Sequence, residues 1–318
     1  MRRYFGGPAA NIFSLIAVLI VLVAAFSLLT ENFFSVKTFM SIANNIPTAL
    51  FLATGMTFVL IIGGIDLSVG SVTALCAGVL GIVMGPKYGM SLPVGVVAAL
   101  LTGLLCGLIN GSVTVAWSIP SFIATLGMLE IARGACYLVT NSQTQYIGSR
   151  ITDVADIRIQ GLSLLILLAL ACVVAAQVLL TYTRFGRYCL AIGAKEEAAR
   201  LSGIGIRNVK IVVFMLSGVL AGFAAITDCA RLSAASPSIG VGYELQAIAA
   251  AVIGGTSLMG GRGSVVGSFL GVIILAVLDN GLASVGAGEH TKRIVTGLVI
   301  IVAVIIDYYR TRLRTRAN

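Results

Sequence analysis

Long apolar runs, separated by short polar stretches, follow one another along almost the whole chain. Since a membrane-spanning helix needs about 20 apolar residues, and a backbone in lipid must satisfy its own hydrogen bonds, these runs predict transmembrane helices. We predict ten segments, at residues 11–30, 45–62, 68–85, 92–115, 121–140, 162–181, 209–229, 244–257, 264–284 and 294–309. The eighth is short and rich in alanine and glycine, as in a half-span or a re-entrant segment. The pattern predicts an all-α polytopic membrane protein that forms one domain over residues 1–318.

Composition supports this fold class. Hydrophobic residues make up 58% of the chain and charged residues only 10%, whereas soluble domains carry about 25% charged residues. So few charges cannot cover a soluble core of this size, which excludes a water-soluble fold. The net charge of +9 would suit nucleic acid, but on a lipid-embedded chain basic residues mark the cytoplasmic side. We therefore expect the chain to lie in a lipid membrane and to bind no nucleic acid.

The basic residues also orient the segments. An even number of spans places both termini on one side, and we expect the run at 11–30 to be a retained helix rather than a cleaved signal sequence. With the termini inside, thirteen of the 21 basic residues fall in inner loops and tails and seven in outer loops, while Arg133 lies within a span. This excess predicts a multi-pass membrane protein with both termini cytoplasmic and residues 146–161 outside.

Several kinds of site chemistry are missing from the sequence. It has no Gly-Lys dipeptide and hence no Walker A loop, so any nucleotide energy has to come from a partner. Its six cysteines form no CxxC pair, and it has a single histidine, which argues against a transition-metal site. We predict no catalytic residues, no bound cofactor and no enzyme activity for this chain.

The longest hydrophilic stretch on the predicted inner side spans residues 183–210. Within it, residues 194–201 favour a short helix, and Gly203 is placed to end it. Its small Ala198 and Ala199 suit close seating in a partner's groove. The same basic, amphipathic character also suits a helix that lies on lipid headgroups, so the residues alone leave both interpretations open.

Polar side chains inside the apolar runs are the second group of candidate functional residues. Asn44, Thr48, Thr57 and Asn110 are candidates for lining a polar pathway, although such residues also form hydrogen bonds between neighbouring helices. Ionisable groups in lipid are costly, but Glu130 and Arg133 are three residues apart on one predicted helix and can pair with each other.

Two glycine-rich joints resemble each other, at residues 59–78 and 251–271. Each combines a glycine pair, a serine, a polar turn and a small-residue helix, which indicates either a duplicated half or two tight helix-turn-helix joints. In the first joint, Asp66 or Ser68 is placed to cap the free N–H groups of the next helix.

Five motifs together resemble a known family. They are MTFVLIIGGIDLSVGS (56–71), FIATLGML with RG (122–134), TRFGRYCLAIGAKEEAARLSGI (183–204), ARLSAASPSIGVGYELQAIAAAVIGGTSLMGGRGSVVGS (230–268) and DNGL (279–282). Their content and order resemble the permease subunits of ribose-type bacterial sugar ABC importers, over nearly the whole chain.

The resemblance implies a translocation pathway for a monosaccharide or related polyol across the bacterial inner membrane. It implies as partners a cytoplasmic ATP-binding subunit, which binds the ATP, a periplasmic sugar-binding protein, and a second permease copy in a homodimer or heterodimer. It also makes residues 183–210 a cytoplasmic coupling loop that carries the coupling helix, which contacts the ATPase. This helix corresponds here to Ala194, Lys195, Glu196, Glu197, Ala198, Ala199, Arg200, Leu201, Ser202 and Gly203. The competing hypothesis, an ion-coupled secondary transporter of a small polar solute, would need titratable ligands at a broken midplane helix, and few carboxylates lie inside the spans.

Overall fold

A computed structural model describes residues 8–86 and 88–315 of the chain. The basic residues Arg2, Arg3, Lys87 and Arg316, which enter the charge count, lie outside the described residues. Most of the described part is helical and its strands have only two residues each, so the predicted all-α membrane fold is confirmed.

The helices run in chain order with short connections. They are α1 (Pro8–Leu29), α2 (Val36–Asn45), α3 (Pro47–Ile61), α4 (Val69–Met84), α5 (Leu92–Ala116), α6 (Ser121–Thr140), α7 (Ser149–Asp156), α8 (Leu164–Tyr182), α9 (Arg184–Ala194), α10 (Glu196–Leu201), α11 (Ile206–Leu232), α12 (Tyr243–Ile253), α13 (Val265–Ser284) and α14 (Glu289–Thr315). The strands have two residues each and are β1 (Gln145–Tyr146), β2 (Arg158–Ile159), β3 (Leu162–Ser163) and β4 (Ala234–Ala235). They form two antiparallel pairs, β1 with β4 and β2 with β3.

Six helices in the described ranges are long and apolar enough to cross a membrane, and the bent pair α2 and α3 makes a seventh. The shorter α4 and α12 are also apolar. Each of the ten predicted segments corresponds to a helix, but their number as membrane spans stays a prediction. The second segment, predicted over 45–62, agrees with α3 to within two residues at each end. The chain bends by 51° between α2 and α3 at Pro47, which cannot supply the N–H that a continuous helix needs.

The centre of the bundle is α3, in which every residue except Ala49 is buried. Its apolar residues are spread around all sides, which is the pattern of a helix enclosed by other helices. It packs against α8, α11, α12 and α13. By contrast, α1, α5 and α8 expose large apolar side chains, among them Phe13, Leu101 and Val174, as expected of surfaces that face lipid.

The connections define two faces. The end of α3 lies beside the loop before α13, since the Gly261 N–H donates to the Ile61 carbonyl at 2.8 Å, and the residues next to α10 lie against both. We call this side the α10 face. The strands β4 and β3 lie at the far ends of helices that reach this face, β4 after α11 and β3 before α8. We call the side with the two strand pairs the opposite face.

The two glycine-rich joints end their first helices in the same way. Gly63 and Gly255 both have positive φ, and the residue after each donates to a carbonyl five positions back in the chain, which is a Schellman-type ending. The similarity therefore extends from sequence to local geometry at these two turns.

Candidate functional site

A cavity of about 470 Å³ lies towards the opposite face, between α2, α3, α12, α13 and α14. We call it the polar cavity. Seven of its fourteen lining residues are polar: Asn45, Arg231, Gln246, Asp279, Asn280, Glu289 and Thr296. The other seven are Ile42, Ile46, Ala49, Ala250, Val272, Leu275 and Ala276. Its volume is within the range of about 300–1,000 Å³ that is usual for small-molecule sites.

A smaller cavity of about 100 Å³ continues from the polar cavity and shares Asn45, Ala49, Arg231 and Gln246 with it. Asp228 of α11 lies in its wall. Its carboxylate accepts hydrogen bonds from Thr48 Oγ1 at 2.6 Å and from the Tyr243 hydroxyl at 3.0 Å. One carboxylate therefore joins α3, α11 and the first residue of α12 at this point.

Three charged residues line the polar cavity: two are in ion pairs, and Arg231 bonds a neutral amide. Arg231 donates to the Asn45 side-chain oxygen at 2.5 Å. Lys292 lies 3.7 Å from Asp279, and Arg293 lies 3.3 Å from Glu289. The remaining polar groups are neutral amides and a hydroxyl, which both donate and accept hydrogen bonds. Such a lining suits a neutral, hydroxylated molecule better than an ion.

A re-entrant loop, residues 233–242, leads from the opposite face to α12. Arg133 of α6 donates to the carbonyls of Pro237 and Ile239 at 2.6 and 2.8 Å. Gly240 packs backbone to backbone against Gly70 in the first turn of α4, where a Cβ on either residue would collide with the other's carbonyl. The loop therefore enters the bundle deeply.

With its 11 residues, α12 is about 16 Å long, roughly half of a bilayer core. The eighth segment, predicted over 244–257, is thus a half-length helix, and with the loop that precedes it the helix connects the opposite face to the α10 face. The expected pair between Glu130 and Arg133 is absent from the ion pairs of the described residues, because Arg133 turns to the loop carbonyls and Glu130 is exposed.

The four predicted pathway residues lie at different places. Thr48 is in the wall of the smaller cavity. Asn44 holds the loop before α8, where its side chain bonds the Gly161 carbonyl and the Ser163 N–H. Thr57 and Asn110 are buried and bond other helices or turns, Thr57 with Ser268 at 2.6 Å and Asn110 with Ser68 at 2.9 Å. A pathway role for the four stays a prediction.

Asp66, predicted to cap a helix, is the centre of a buried polar cluster. Its Oδ1 accepts from the Ser68 N–H and Oγ, and its Oδ2 accepts from Ser217 Oγ of α11 at 3.0 Å. Ser68 is the N-cap residue of α4, but its side chain makes no cap hydrogen bond. The cluster ties the turn after α3 to α5 and α11.

Sequence reasoning missed Arg231, Tyr243 and Gln246 as lining residues. Arg231 follows Asp228 by three positions, and Gln246 follows Tyr243 by three, so each pair lies on one helix face. That spacing was the available signal. It becomes informative only once α11 and α12 are known to flank the same cavity.

The predicted coupling segment is two helices rather than one. Ala194 ends α9, Lys195 is extended with φ −160° and ψ 100°, and α10 begins at Glu196. The helix predicted over 194–201 is therefore interrupted at Lys195. Glu196 forms an ion pair with Lys210 of α11 at 2.7 Å, which fixes α10 to the start of α11.

The exposed surface of α10 differs from the expectation in one residue. Ala199, predicted to seat in a partner's groove, is only 4% exposed and packs within its own chain. Ala198 is exposed, and Leu201 is 82% exposed. An apolar side chain this exposed on a charged helix marks a contact surface.

The sequence profile of the family described as branched-chain amino acid transport system / permease component matches residues 38–304. The chain belongs to this family of ABC importer permeases. The permease is 39% identical to the ribose import permease protein RbsC of Escherichia coli K12 over 313 residues, which is 96% of each chain.

Two further relatives of the permease carry other names. It is 32% identical to the L-arabinose ABC transporter permease protein AraH of Azospirillum brasilense, over 94% of this chain and 88% of the relative. It is 35% identical to the autoinducer 2 import system permease protein LsrC of Escherichia coli O157:H7, over 93% and 86%. No solved structure matches the chain. These findings favour an ABC permease, which is not an enzyme, over the ion-coupled secondary transporter.

Proposed function

We propose that the permease forms the translocation pathway for a monosaccharide or a related polyol, and that the polar cavity is part of that pathway. The observation that carries the proposal is the lining of the polar cavity, which combines amide side chains with apolar ones. A sugar presents hydroxyl groups at its edges and C–H groups on its faces, so it needs both kinds of contact. Relatives named for ribose and L-arabinose import support this substrate class.

The two faces of the permease then have different partners. We place a periplasmic sugar-binding protein at the opposite face, where the polar cavity lies, and a cytoplasmic ATP-binding subunit at the α10 face. Both termini are cytoplasmic in this arrangement, as the excess of basic residues supports. The permease itself binds no ATP, and it pairs with a second permease copy, identical or related.

Energy transfer in this proposal uses α10 as the coupling helix. The Glu196–Lys210 ion pair connects α10 to α11, and Asp228 lies on the same helix 18 residues further on, about 27 Å at 1.5 Å per residue. At that end Asp228 holds Thr48 and Tyr243 beside the cavity. A single rigid helix thus spans from the proposed ATPase contact to the proposed pathway.

The test is to fill the polar cavity. Ala49 lines both parts of the cavity, so Ala49→Trp should abolish uptake of labelled ribose or arabinose by proteoliposomes that hold the permease with its ATP-binding subunit and binding protein. Ala175 is exposed on α8 and lines neither part, so Ala175→Trp is the matched control and should transport normally. Uptake by the Ala49→Trp variant at the rate of the control would contradict the proposed pathway.

A further inference from the structure

A second cavity of about 470 Å³ lies on the α10 face. It is bounded by α10, the start of α11, the turn between α5 and α6, and the glycine turn that follows α3. Its lining includes four charged residues: Glu196, Arg200, Arg207 and Lys210. We call it the basic cavity, since three of these four are cationic.

Only part of this positive charge is balanced within the chain. Lys210 pairs with Glu196 at 2.7 Å. Arg200 lies 4.0 Å from Glu197, with both side chains 72% exposed, and an exposed pair at that distance contributes little. Arg207, in the first turn of α11, forms no ion pair among the described residues. The cavity therefore presents two arginines to an incoming anion.

Hydroxyl groups add to this lining. Thr114 Oγ1 is buried and has no hydrogen-bond partner, and among the described residues only one other buried side-chain oxygen shares that condition. Ser118 also lines the cavity, in a left-handed turn with φ 52°. Ser118 is exposed, so its hydroxyl can donate a hydrogen bond to an anion in the cavity, whereas the Thr114 hydroxyl is shielded from the cavity.

We propose that the basic cavity receives an acidic side chain, aspartate or glutamate, of the ATP-binding subunit. This inference rests on the proposed function, because it takes α10 as the docking helix. Glu196 and Arg200 belong to α10 and also line the cavity, so the two surfaces are continuous. A partner seated on Ala198 and Leu201 would cover the cavity mouth at the same time.

The charge and the geometry of the basic cavity both favour a carboxylate. Guanidinium groups bind carboxylates through two parallel hydrogen bonds, and Arg200 of α10 and Arg207 of α11 offer such contacts from separate elements. A docked protein can place one carboxylate here in a fixed orientation, and the charge match then sets the register of the partner on α10.

The experiment reverses the charge of Arg207. The side chain is exposed in the first turn of α11, where a glutamate is favourable to the helix, so Arg207→Glu should fold. We expect the affinity of the detergent-purified permease for its ATP-binding subunit to fall about tenfold or more. Arg187→Glu is the matched control, since Arg187 is exposed on α9 but does not line the cavity, and it should bind as the wild type does.

A suppressor search identifies the partner residue. Among ATP-binding subunits with single Asp→Lys or Glu→Lys changes, at least one should restore binding to the Arg207→Glu variant. Binding of that variant at wild-type affinity, or failure of every such change to restore it, would overturn the inference. An effect seen only in nanodiscs with anionic lipids, and absent in neutral detergent, would assign the cavity to a lipid headgroup and would also overturn it.

A third variant separates this inference from the proposed function. Ala198→Trp should abolish binding of the ATP-binding subunit if α10 is the docking helix. Loss of binding in Ala198→Trp together with normal binding in Arg207→Glu refutes the basic cavity alone. Normal binding in both variants refutes the docking helix, and the inference with it.

Discussion

At the scale of single residues, Gly203 decides how the predicted coupling segment ends. Its φ is +79°, a conformation that costs little for glycine and much more for a β-branched residue. The Gly203 N–H donates to the Arg200 carbonyl, and the Ile204 N–H donates to the Ala199 carbonyl. These two bonds close α10 and set the direction in which the chain leaves for α11.

Replacement of Gly203 should therefore impair coupling without displacing neighbours, since a Cβ at this position meets no atom within 4 Å. Gly203→Val should cost about 1–3 kcal/mol of local backbone strain and strongly reduce substrate-stimulated ATP hydrolysis in proteoliposomes. Asparagine tolerates positive φ far better than valine, so Gly203→Asn should retain most of the stimulation. Equal stimulation in the two variants would show that the backbone conformation of Gly203 has no part in coupling.

The role of Gly203 as a helix terminator could be predicted from the sequence because helix endings are local. The roles of Thr57 and Asn110 could not, since their partners Ser268 and Ser68 are 211 and 42 residues away in the chain. A threonine or asparagine in an apolar run has the same local pattern whether it lines a pathway or bonds another helix. Only the packing of distant elements separates the two.

At the scale of elements, the half-length α12 depends on the loop that precedes it. Loop 233–242 carries backbone carbonyls into the bundle, where each needs a hydrogen-bond donor. Arg133 supplies donors for two of them. A charged residue within a predicted span is thereby explained as a support for irregular backbone.

Removal of this support should loosen the loop. In the Arg133→Leu variant the Pro237 and Ile239 carbonyls lose their charged donor, and we expect amide hydrogen exchange across residues 236–242 to rise about tenfold or more. Arg158, exposed in β2 on the opposite face, provides the control variant Arg158→Leu, which should leave exchange in the loop unchanged. If the two variants exchange alike, Arg133 does not hold the loop.

The ends of a helix were predictable where one uninterrupted apolar run forms the whole helix. The fifth predicted segment, 121–140, coincides with α6, and most others differ by a few residues at each end. The breaks at Pro47 and Lys195 were harder to predict. Pro47 separates α2 from α3, and Lys195 separates α9 from α10, each within one run of helix-forming residues. The first break carries a proline, a signal the sequence offered, but Lys195 is a good helix former, and its extended conformation has no such local cause.

At the scale of the whole molecule, the two large cavities lie on different faces. The polar cavity lies towards the opposite face and the basic cavity on the α10 face. The 27-residue α11 contributes to both, with Arg231 near one end and Arg207 and Lys210 at the other. This arrangement suits the proposed function, in which the solute enters at the opposite face and the ATP-binding subunit acts on the α10 face.

Orientation in the membrane is the remaining prediction, and cysteine labelling can test it. The native cysteines are buried, except for the half-buried Cys172, so their background reaction with a membrane-impermeant thiol reagent should be low. Thr144 is exposed on the opposite face and Ala198 on the α10 face. In right-side-out vesicles we expect the Thr144→Cys variant to be labelled and the Ala198→Cys variant to be protected, and the reverse in inverted vesicles. Labelling of both variants from one side would contradict the two faces, and the opposite pattern would invert the orientation inferred from the basic residues.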